Sequence, residues 1–339
     1  MKKALSYDDV LLTPKYSDIE SRAEVDVSSN LADDINLLLP VISSPMDTVT
    51  EAAMASAMDF AGGLGIVHRY NTVEEQVDIV RSVKESGAAN VGVAVGMTGD
   101  FIERASATND AGANVICIDV AHGHHAMMQR CLSELKDVFG DRVHLMAGNV
   151  ATLEAFEDLS RWGADSIRVG IGGRSICSTR IVTGHGVPTL QSIIDCARSE
   201  RDTKIIADGG IKTSGDIVKS LAAGADFVML GSMLGGVTES PGDVFTRSDG
   251  KKYKAYRGMA SHAAQKSWRG KSSTPEGVTT TIPYKGDISG ILDDILGGIR
   301  SGFSYSGCRN LNEFRAKCEM IEQTNAGQLE SSTHILTRR

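Results

Sequence analysis

The stretch KIIADGGIKTSGDIVKSLAAGADFVMLGS, Lys204–Ser232, contains the unit that decides the fold. It begins with a short apolar run ending in Ala-Asp-Gly-Gly, continues through a mixed polar and apolar segment, and closes with a second apolar run. Two near-continuous apolar runs separated by a helix-like segment are typical of a β–α–β unit whose parallel strands are covered on both faces.

The same rhythm extends over most of the chain. Eight consecutive units predict the α/β class and a closed (β/α)8 TIM barrel. An open doubly wound sheet remains the alternative, because strand count alone does not prove closure. The eight runs are PVISS from Pro40, GLGIVH from Gly63, NVGVAVG from Asn90, VICIDV from Val115, VHLMAGNV from Val143, SIRVGIG from Ser166, KIIADGG from Lys204 and FVMLGS from Phe227.

Helix signals lie between and after these runs, and the 339 residues are expected to form one domain. TVEEQVDIVRSVKESG, from Thr72, opens with the Thr–Glu spacing of a capping box, and Gly87 suits its C-terminal end. A last helix is expected over ISGILDDILGGIRSGF, and a polar tail occupies about 325–339.

A polar flap is expected at about 250–281, after the eighth strand. Lys251–Lys271 contains seven basic residues and no acidic one. That excess indicates either an anionic ligand nearby or a solvated, mobile loop, and charge alone does not separate the two.

Composition excludes several functional classes. The net charge of −8 and the isoelectric point near 5.5 argue against general binding to nucleic acids or membrane surfaces. No signal peptide or apolar run of spanning length is present, and the six cysteines lack the spacing of a zinc site or a disulfide framework. A cytoplasmic protein with reduced thiols is therefore expected.

The sixth run leads into GIGGRSICSTR, Gly170–Arg180, at the barrel end where active sites lie. Cys177 is the one cysteine in a glycine-rich loop at such an end, and basic side chains nearby would favour a thiolate. Thr179 could reach the same centre, although a loop threonine more often bonds local backbone. Glycines after the seventh and eighth runs match the usual barrel phosphate site, although glycines also simply make tight turns.

Other polar residues follow the fourth and fifth runs. Asp119 and Asn149 could hold a ribose, an amide or a base at the barrel mouth. The tract HGHH, from His122, suggests a metal, but no carboxylate follows at helical spacing, so a metal site is not expected there.

Together these stretches resemble the inosine-monophosphate dehydrogenase / GMP reductase family, from LSYDDVLLTP at Leu5 to ESSTH at Glu330. The resemblance implies a TIM barrel, a homotetramer, a purine mononucleotide (GMP or IMP), a nicotinamide cofactor and a covalent bond from cysteine to purine C2. The supporting stretches are SSPMDTVTEA (Ser43–Ala52), IDVAHGH (Ile118–His124), AGNVAT (Ala147–Thr152), GIGGRSICSTR, IADGGIKTSGDI (Ile206–Ile217), GADFVMLGSMLGG, YRGM (Tyr256–Met259) and IPYKGD (Ile282–Asp287).

The resemblance also implies roles for individual residues. Cys177 would be the nucleophile, with Thr179 and Glu276 as its catalytic partners. Asp119, Asn149 and Gly170 would lie on the cofactor side. The residues expected to bind substrate are Ser175, Asp208, Gly210, Gly231, Ser232, Tyr256, Gly258 and Met259.

Two absences favour the reductase over the dehydrogenase. Dehydrogenases usually carry inserted regulatory modules, and here only SVKESGAAN separates the second helix from the third strand. They also hydrolyse their intermediate with an Arg-Tyr pair, which is missing between Gly258 and Pro283. The expected reaction is NADPH-dependent conversion of GMP to IMP and ammonia. A dehydrogenase using NAD, and a barrel that binds nucleotide without turnover, are the alternatives.

The cysteine loop departs from the family pattern Gly-x-Gly-Pro-Gly-Ser-x-Cys-Thr-Thr. Gly173, Arg174 and Ser178 stand where the family has Pro, Gly and Thr. In dehydrogenases this loop helps hold potassium, so a monovalent cation near Gly170, Gly172 and Cys177 is doubtful, because the Arg174 guanidinium could take over its charge.

Overall fold

The eight expected strands close into one parallel barrel. In the computed structural model, which describes residues 3–173, 176–270 and 275–331, neighbouring strands pair in chain order and the eighth pairs with the first. Closure rules out the open sheet. The strands are β1 Val41–Ser43, β2 Leu64–Val67, β3 Gly92–Val95, β4 Val115–Asp119, β5 His144–Val150, β6 Ser166–Val169, β7 Lys204–Asp208 and β8 Phe227–Leu230.

Helices follow the strands and cover the barrel. The Thr72 hydroxyl and the Glu75 carboxylate form the expected capping box, and Gly87 follows the helix end with φ +92°. The helices are α1 Ala52–Phe60, α2 Val73–Glu85, α3 Phe101–Asp110, α4 Ala126–Phe139, α5 Leu153–Arg161, α6 Thr179–Thr183, α7 Thr189–Cys196, α8 Ser214–Ala222, α9 His262–Arg269, α10 Ser289–Tyr305, α11 Leu311–Lys317 and α12 Asn325–Glu330.

Apolar side chains fill the barrel and plug one end of it. Cys117 and Phe227 belong to the interior cluster, and a hairpin of Ser29–Ala32 and Ile35–Leu37 adds Leu31 to it. A second, larger cluster lies between the strands and the helices and contains Cys196. Both cysteines are buried packing residues, and all six thiols are free.

The segment after β8 is more ordered than the sequence suggested. Lys252–Arg257 pairs on one side with Phe245–Thr246 and on the other with Thr279–Pro283. In sequence, α9 lies between Lys252–Arg257 and Thr279–Pro283. Two of its basic residues are structural: Lys254 donates to the carbonyls of Val237 and Ser240. Arg257 pairs with Asp47. Their partners lie outside the segment, which is why its own composition did not reveal them.

The two ends of the chain meet beside the barrel. Met320–Glu322 pairs antiparallel with Val10–Leu12, and short 3-10 helices lie at Tyr7–Asp9 and Arg22–Glu24. The expected tail at about 325–339 begins with α12, and the described part of the chain ends at residue 331. No helix in the described ranges has the length and apolarity needed to cross a membrane.

Candidate active site

A cavity of about 270 Å³ opens where the strands end. Its lining brings together the predicted residues from five of the eight strand ends, those of β4 to β8, and from the segment after β8. Ser175, a predicted phosphate ligand, and Arg174 lie outside the described residues. The predicted residues in the lining are Asp119, Asn149, Gly170, Gly172, Cys177, Thr179, Asp208, Gly210, Gly231, Ser232, Tyr256, Gly258, Met259 and Glu276.

Cys177, Thr179 and Glu276 form a hydrogen-bonded line. The Cys177 thiol donates to the Thr179 hydroxyl at 3.1 Å, and that hydroxyl donates to Glu276 Oε2 at 2.8 Å. Cys177 is partly exposed to the cavity. The line gives the thiol proton a route through the hydroxyl to a carboxylate, which is how a nucleophile is activated by a neighbouring base.

Backbone pairing brings Glu276 to the cysteine loop. Cys177 and Gly277 form an isolated antiparallel bridge. Ser178 N–H donates to the Glu276 carbonyl at 2.9 Å, and Val278 N–H donates to the Ile176 carbonyl at 3.0 Å. The loop after β6 and the residues Glu276–Val278, just before the strand Thr279–Pro283, therefore hold the reacting groups together, and the position of Glu276 depends on the segment after β8.

A fully buried arginine lies beneath the cavity. Arg168, on β6, donates to Asp119 Oδ1 at 2.6 Å and to Asp208 Oδ2 at 2.9 Å. The two carboxylates raise the pKa of Arg168 well above its usual value, against the opposing effect of burial. The sequence did not single out Arg168, although a charged residue inside the apolar run SIRVGIG was a usable signal.

Asp208 and Asn149 are joined to each other. Asn149 Nδ2 donates to Asp208 Oδ2 and to the Gly170 carbonyl, both at 2.9 Å. Asn149 Oδ1 is buried with no hydrogen-bond partner in the described part of the chain. A buried amide oxygen without a donor is costly, and the cofactor role of Asn149 stays a prediction.

Glycine is required at position 170 by close backbone approach. A Cβ there would lie 2.0 Å from the Asp208 carbonyl oxygen, and φ is +147°. Gly231 is similarly confined, since a Cβ would meet the Tyr256 hydroxyl at 2.9 Å. These two glycines let the ends of β6, β7 and β8 approach the cavity.

The predicted cation site near Gly170, Gly172 and Cys177 stays a prediction, and one of its expected ligands is hydrogen-bonded within the protein. The Gly170 carbonyl, one of its expected ligands, accepts the hydrogen bond from Asn149. Within the described ranges, no group of three His, Cys, Asp or Glu side chains is arranged to hold a metal ion. His124 in the HGHH tract pairs with Asp158 at 2.8 Å, and the His125 side chain caps α4.

A second cavity of about 240 Å³ adjoins the first and shares Arg69 and Val120 with it. Trp268 from α9 lines it, stacked on Tyr70 with 5.8 Å between ring centroids. Arg104, buried on α3, also lines it and bonds to Asn71 and Gln76. Sequence reasoning missed this region, because its residues come from the loops after β2, β3 and β4 and from the helices α3, α4 and α9, and they form no motif.

A hydrogen-bonded cysteine, threonine and glutamate at the strand ends of a (β/α)8 barrel is typical of an enzyme active site. The similarity of the whole chain identifies the family. The family model for the "IMP dehydrogenase / GMP reductase domain" matches residues 4–334. The chain therefore belongs to the IMP dehydrogenase / GMP reductase family, whose members are oxidoreductases acting on purine nucleotides.

Individual relatives divide between the two activities. Inosine-5'-monophosphate dehydrogenase of Cryptosporidium parvum is 38% identical over 386 positions, covering 98% of this chain and 95% of the relative. The dehydrogenase of Nitrosopumilus maritimus is 34% identical over 470 positions, covering 98% of each. GMP reductase of Leishmania major is 31% identical over 483 positions, covering 100% of this chain and 98% of the relative.

A solved structure shares the fold over nearly the full length. It is a crystal structure of GMP reductase from Trypanosoma brucei, a cysteine-to-alanine variant in complex with guanosine 5'-monophosphate. It superimposes with a TM-score of 0.92 at 30% identity over 98% of each chain.

One sequence argument loses its force here. The missing insertion was expected to favour the reductase, yet the Leishmania GMP reductase aligns over 483 positions, as many as the long dehydrogenases. This reductase is thus as long as those dehydrogenases, so the missing insertion does not separate the two activities.

Proposed function

We propose that the chain is a GMP reductase, which converts GMP to IMP and ammonia with NADPH as the reductant. The observation that carries this proposal is the line Cys177–Thr179–Glu276 at the cavity, together with the lack of an Arg-Tyr pair between Gly258 and Pro283. A carboxylate and a hydroxyl beside the thiol can deliver a proton to a leaving amine, and the sequence lacks the pair that would activate water in a dehydrogenase.

The proposed reaction begins with proton transfer from Cys177 through Thr179 to Glu276. The thiolate then adds to C2 of GMP, and the proton returns along the same line to the 2-amino group, which leaves as ammonia. NADPH supplies a hydride to C2 when it is bound. Breakage of the C–S bond then releases IMP and leaves the Cys177 thiolate, which takes one proton from solvent to restore the thiol for the next turnover.

Substrate would be held at both ends. The loops after β7 and β8 offer Gly210, Gly231 and Ser232 for the phosphate, with Tyr256 beside them and Ser175 as a further ligand outside the described residues. Asp208 would hold the ribose, and Gly258, Met259 and Glu276 would face the base.

The cofactor residues are proposed from the orphaned Asn149 oxygen and the adjoining second cavity. Asn149, Asp119 and Gly170 would contact the nicotinamide end, because the amide oxygen of Asn149 can accept from a carboxamide. The second cavity gives room for the rest of a dinucleotide beside Arg69. A homotetramer is proposed on the family likeness alone.

A dehydrogenase is the second candidate, favoured by the higher identity of the Cryptosporidium relative. One pair of assays separates them: NADPH consumption with GMP, and NADH production with IMP. The reductase proposal expects the first activity. XMP formation from IMP and NAD at a useful rate would overturn it, and nucleotide binding without either turnover would identify a non-catalytic barrel.

A further inference from the structure

The segment IPYKGD, Ile282–Asp287, lies against the loop that follows β8. Lys285 N–H donates to the Gly236 carbonyl at 2.9 Å, and Thr238 N–H donates to the Gly286 carbonyl at 2.8 Å. The Tyr284 and Thr238 hydroxyls are 2.8 Å apart. None of the residues of this segment is among those lining the active-site cavity, so its role lies in what it does to the neighbouring loop.

The Lys285 ammonium binds the turn at the start of that loop. It donates to the Ser232 carbonyl at 2.7 Å and to the Met233 carbonyl at 3.0 Å. The same turn is closed by Leu234 and Gly235, whose N–H groups both donate to the Gly231 carbonyl. Gly231 and Ser232 line the cavity. Lys285 therefore binds the outer side of a turn whose inner side lines the active-site cavity.

The two hydrogen bonds from Lys285 fix the direction of the peptide N–H groups in this turn. In a trans peptide the N–H points opposite to the C=O, so holding the Ser232 carbonyl turns the Met233 N–H away from the ammonium. In the described part of the chain, the Ser232 and Met233 N–H groups have no acceptor. Successive free N–H groups in a turn form an anion-binding concavity.

The positive charge of Lys285 is not neutralised locally. Among the described residues, no carboxylate lies within 4.0 Å of its ammonium, and both of its contacts are neutral carbonyls. Lys285 is exposed as a residue, but desolvation of the ammonium lowers its pKa. A cation held this way polarises the peptides it binds and leaves its field available to an anion on the other side of the turn.

We propose that Lys285 is a positioning residue for the 5′-phosphate of the substrate: it orients and charges the turn after β8 so that the site prefers mononucleotides over nucleosides. This inference rests on the proposed placement of the phosphate at this turn. Lys285 acts through the turn and does not itself touch the ligand. It contributes to ground-state binding of the phosphate, so its effect falls on substrate affinity and not on the chemical step.

The test separates the charge from the hydrogen bonds. Lys285→Gln keeps an amide donor without the charge, Lys285→Met removes both, and Lys285→Arg keeps the charge. Binding of GMP, IMP and guanosine to the full-length protein is measured by titration calorimetry, and KM and kcat are measured for the active substrate. We expect Lys285→Met and Lys285→Gln to bind both nucleotides about tenfold more weakly, with guanosine affinity unchanged. KM should rise in parallel with kcat within about twofold, and Lys285→Arg should recover most of the affinity.

Lys254→Met is the matched control, because Lys254 also donates to two carbonyls of the same loop, at Val237 and Ser240, away from the turn. It should lower the melting temperature without changing the ratio of GMP to guanosine affinity. Equal losses for nucleotide and nucleoside in the Lys285 variants, or no loss for either, would overturn the inference. The effect of Lys285 on phosphate binding can be tested whatever the reaction direction. A dehydrogenase would fail the NADPH assay with GMP and still show phosphate-dependent binding of IMP.

Discussion

Thr179 and Glu276 are 97 positions apart in sequence, and the hydroxyl of one donates to the carboxylate of the other at 2.8 Å. The contact joins the loop after β6 to the strand segment that follows α9. Because Cys177 donates to the same hydroxyl, one threonine connects the nucleophile to its proton acceptor. The proposed chemistry depends on this connection, and the first two predictions examine its ends.

Replacing the nucleophile should stop turnover without preventing binding. We expect Cys177→Ala to lower kcat by about a thousandfold or more, because the covalent route has no substitute thiol at the cavity. GMP affinity should change by less than about threefold, measured by calorimetry. Cys318→Ala, at a partly buried thiol that does not line the cavity, is the control and should keep full activity. Full turnover by Cys177→Ala would refute the covalent mechanism.

Replacing the carboxylate should slow the chemical step. Glu276→Gln retains a hydrogen-bond acceptor for Thr179 but cannot accept or return the proton as a carboxylate does. A general acid–base group typically contributes 10²–10⁴-fold, so we expect kcat to fall by about a hundredfold. Stopped-flow measurement of ammonia release and hydride transfer locates the loss. If both steps keep their wild-type rates, Glu276 has no role in proton transfer.

Arg168 should matter first for stability. Arg168→Met would leave the buried carboxylate of Asp208 and the partly buried carboxylate of Asp119 without their shared cation. Breaking a buried ion pair by removing one partner costs about 3–5 kcal/mol, measurable as a decrease in the free energy of unfolding in urea. Arg300→Met is the control, since Arg300 is partly exposed and donates only to the Val25 carbonyl among described contacts. A loss below about 1 kcal/mol for Arg168→Met would contradict this account.

His144 should make stability depend on pH. Burial lowers its pKa from 6.5 to about 4, and its Nε2 lies 2.8 Å from the Ser166 hydroxyl. The unfolded chain therefore gains a proton near pH 6.5 while the folded chain stays neutral. The stabilising contribution is complete above about 6.5 and is lost as the pH falls towards 4.

The measurement compares unfolding free energies at pH 7 and pH 5 in wild type and in His144→Asn. The variant should lose less stability between the two values than wild type does. His262→Asn, at an exposed position, should behave as wild type. Equal slopes for wild type and His144→Asn would show that His144 does not contribute to the acid sensitivity.

Sequence reasoning predicted the barrel well, because a buried parallel strand leaves a near-continuous apolar run and the β–α rhythm repeats. The runs SIRVGIG and KIIADGG became β6 and β7. It did not predict the strands Lys252–Arg257 and Thr279–Pro283, whose polar residues are typical of a loop. Their pairing comes from contacts between distant segments, and no local pattern records it.

The same limit applies to the site. Residues in glycine-rich strand ends, such as Cys177 and Gly210, were predicted because barrels place function there. The ion pairs of Asp119 and Asp208 were not, since they depend on Arg168, whose burial only the closed barrel reveals. The excess of basic residues after β8 indicated a ligand or a solvated loop, but Lys254 serves neither, because it is buried against neutral carbonyls.

The pairing of Cys177 with Gly277 has a consequence for how such enzymes diverge. The segment after β6 contributes the thiol and the hydroxyl, and a stretch 97 positions later in the same chain contributes the carboxylate. On the proposed mechanism, substitutions in that stretch would alter the proton acceptor without repacking any barrel strand. The direction of catalysis would then be open to change at a short piece of the periphery.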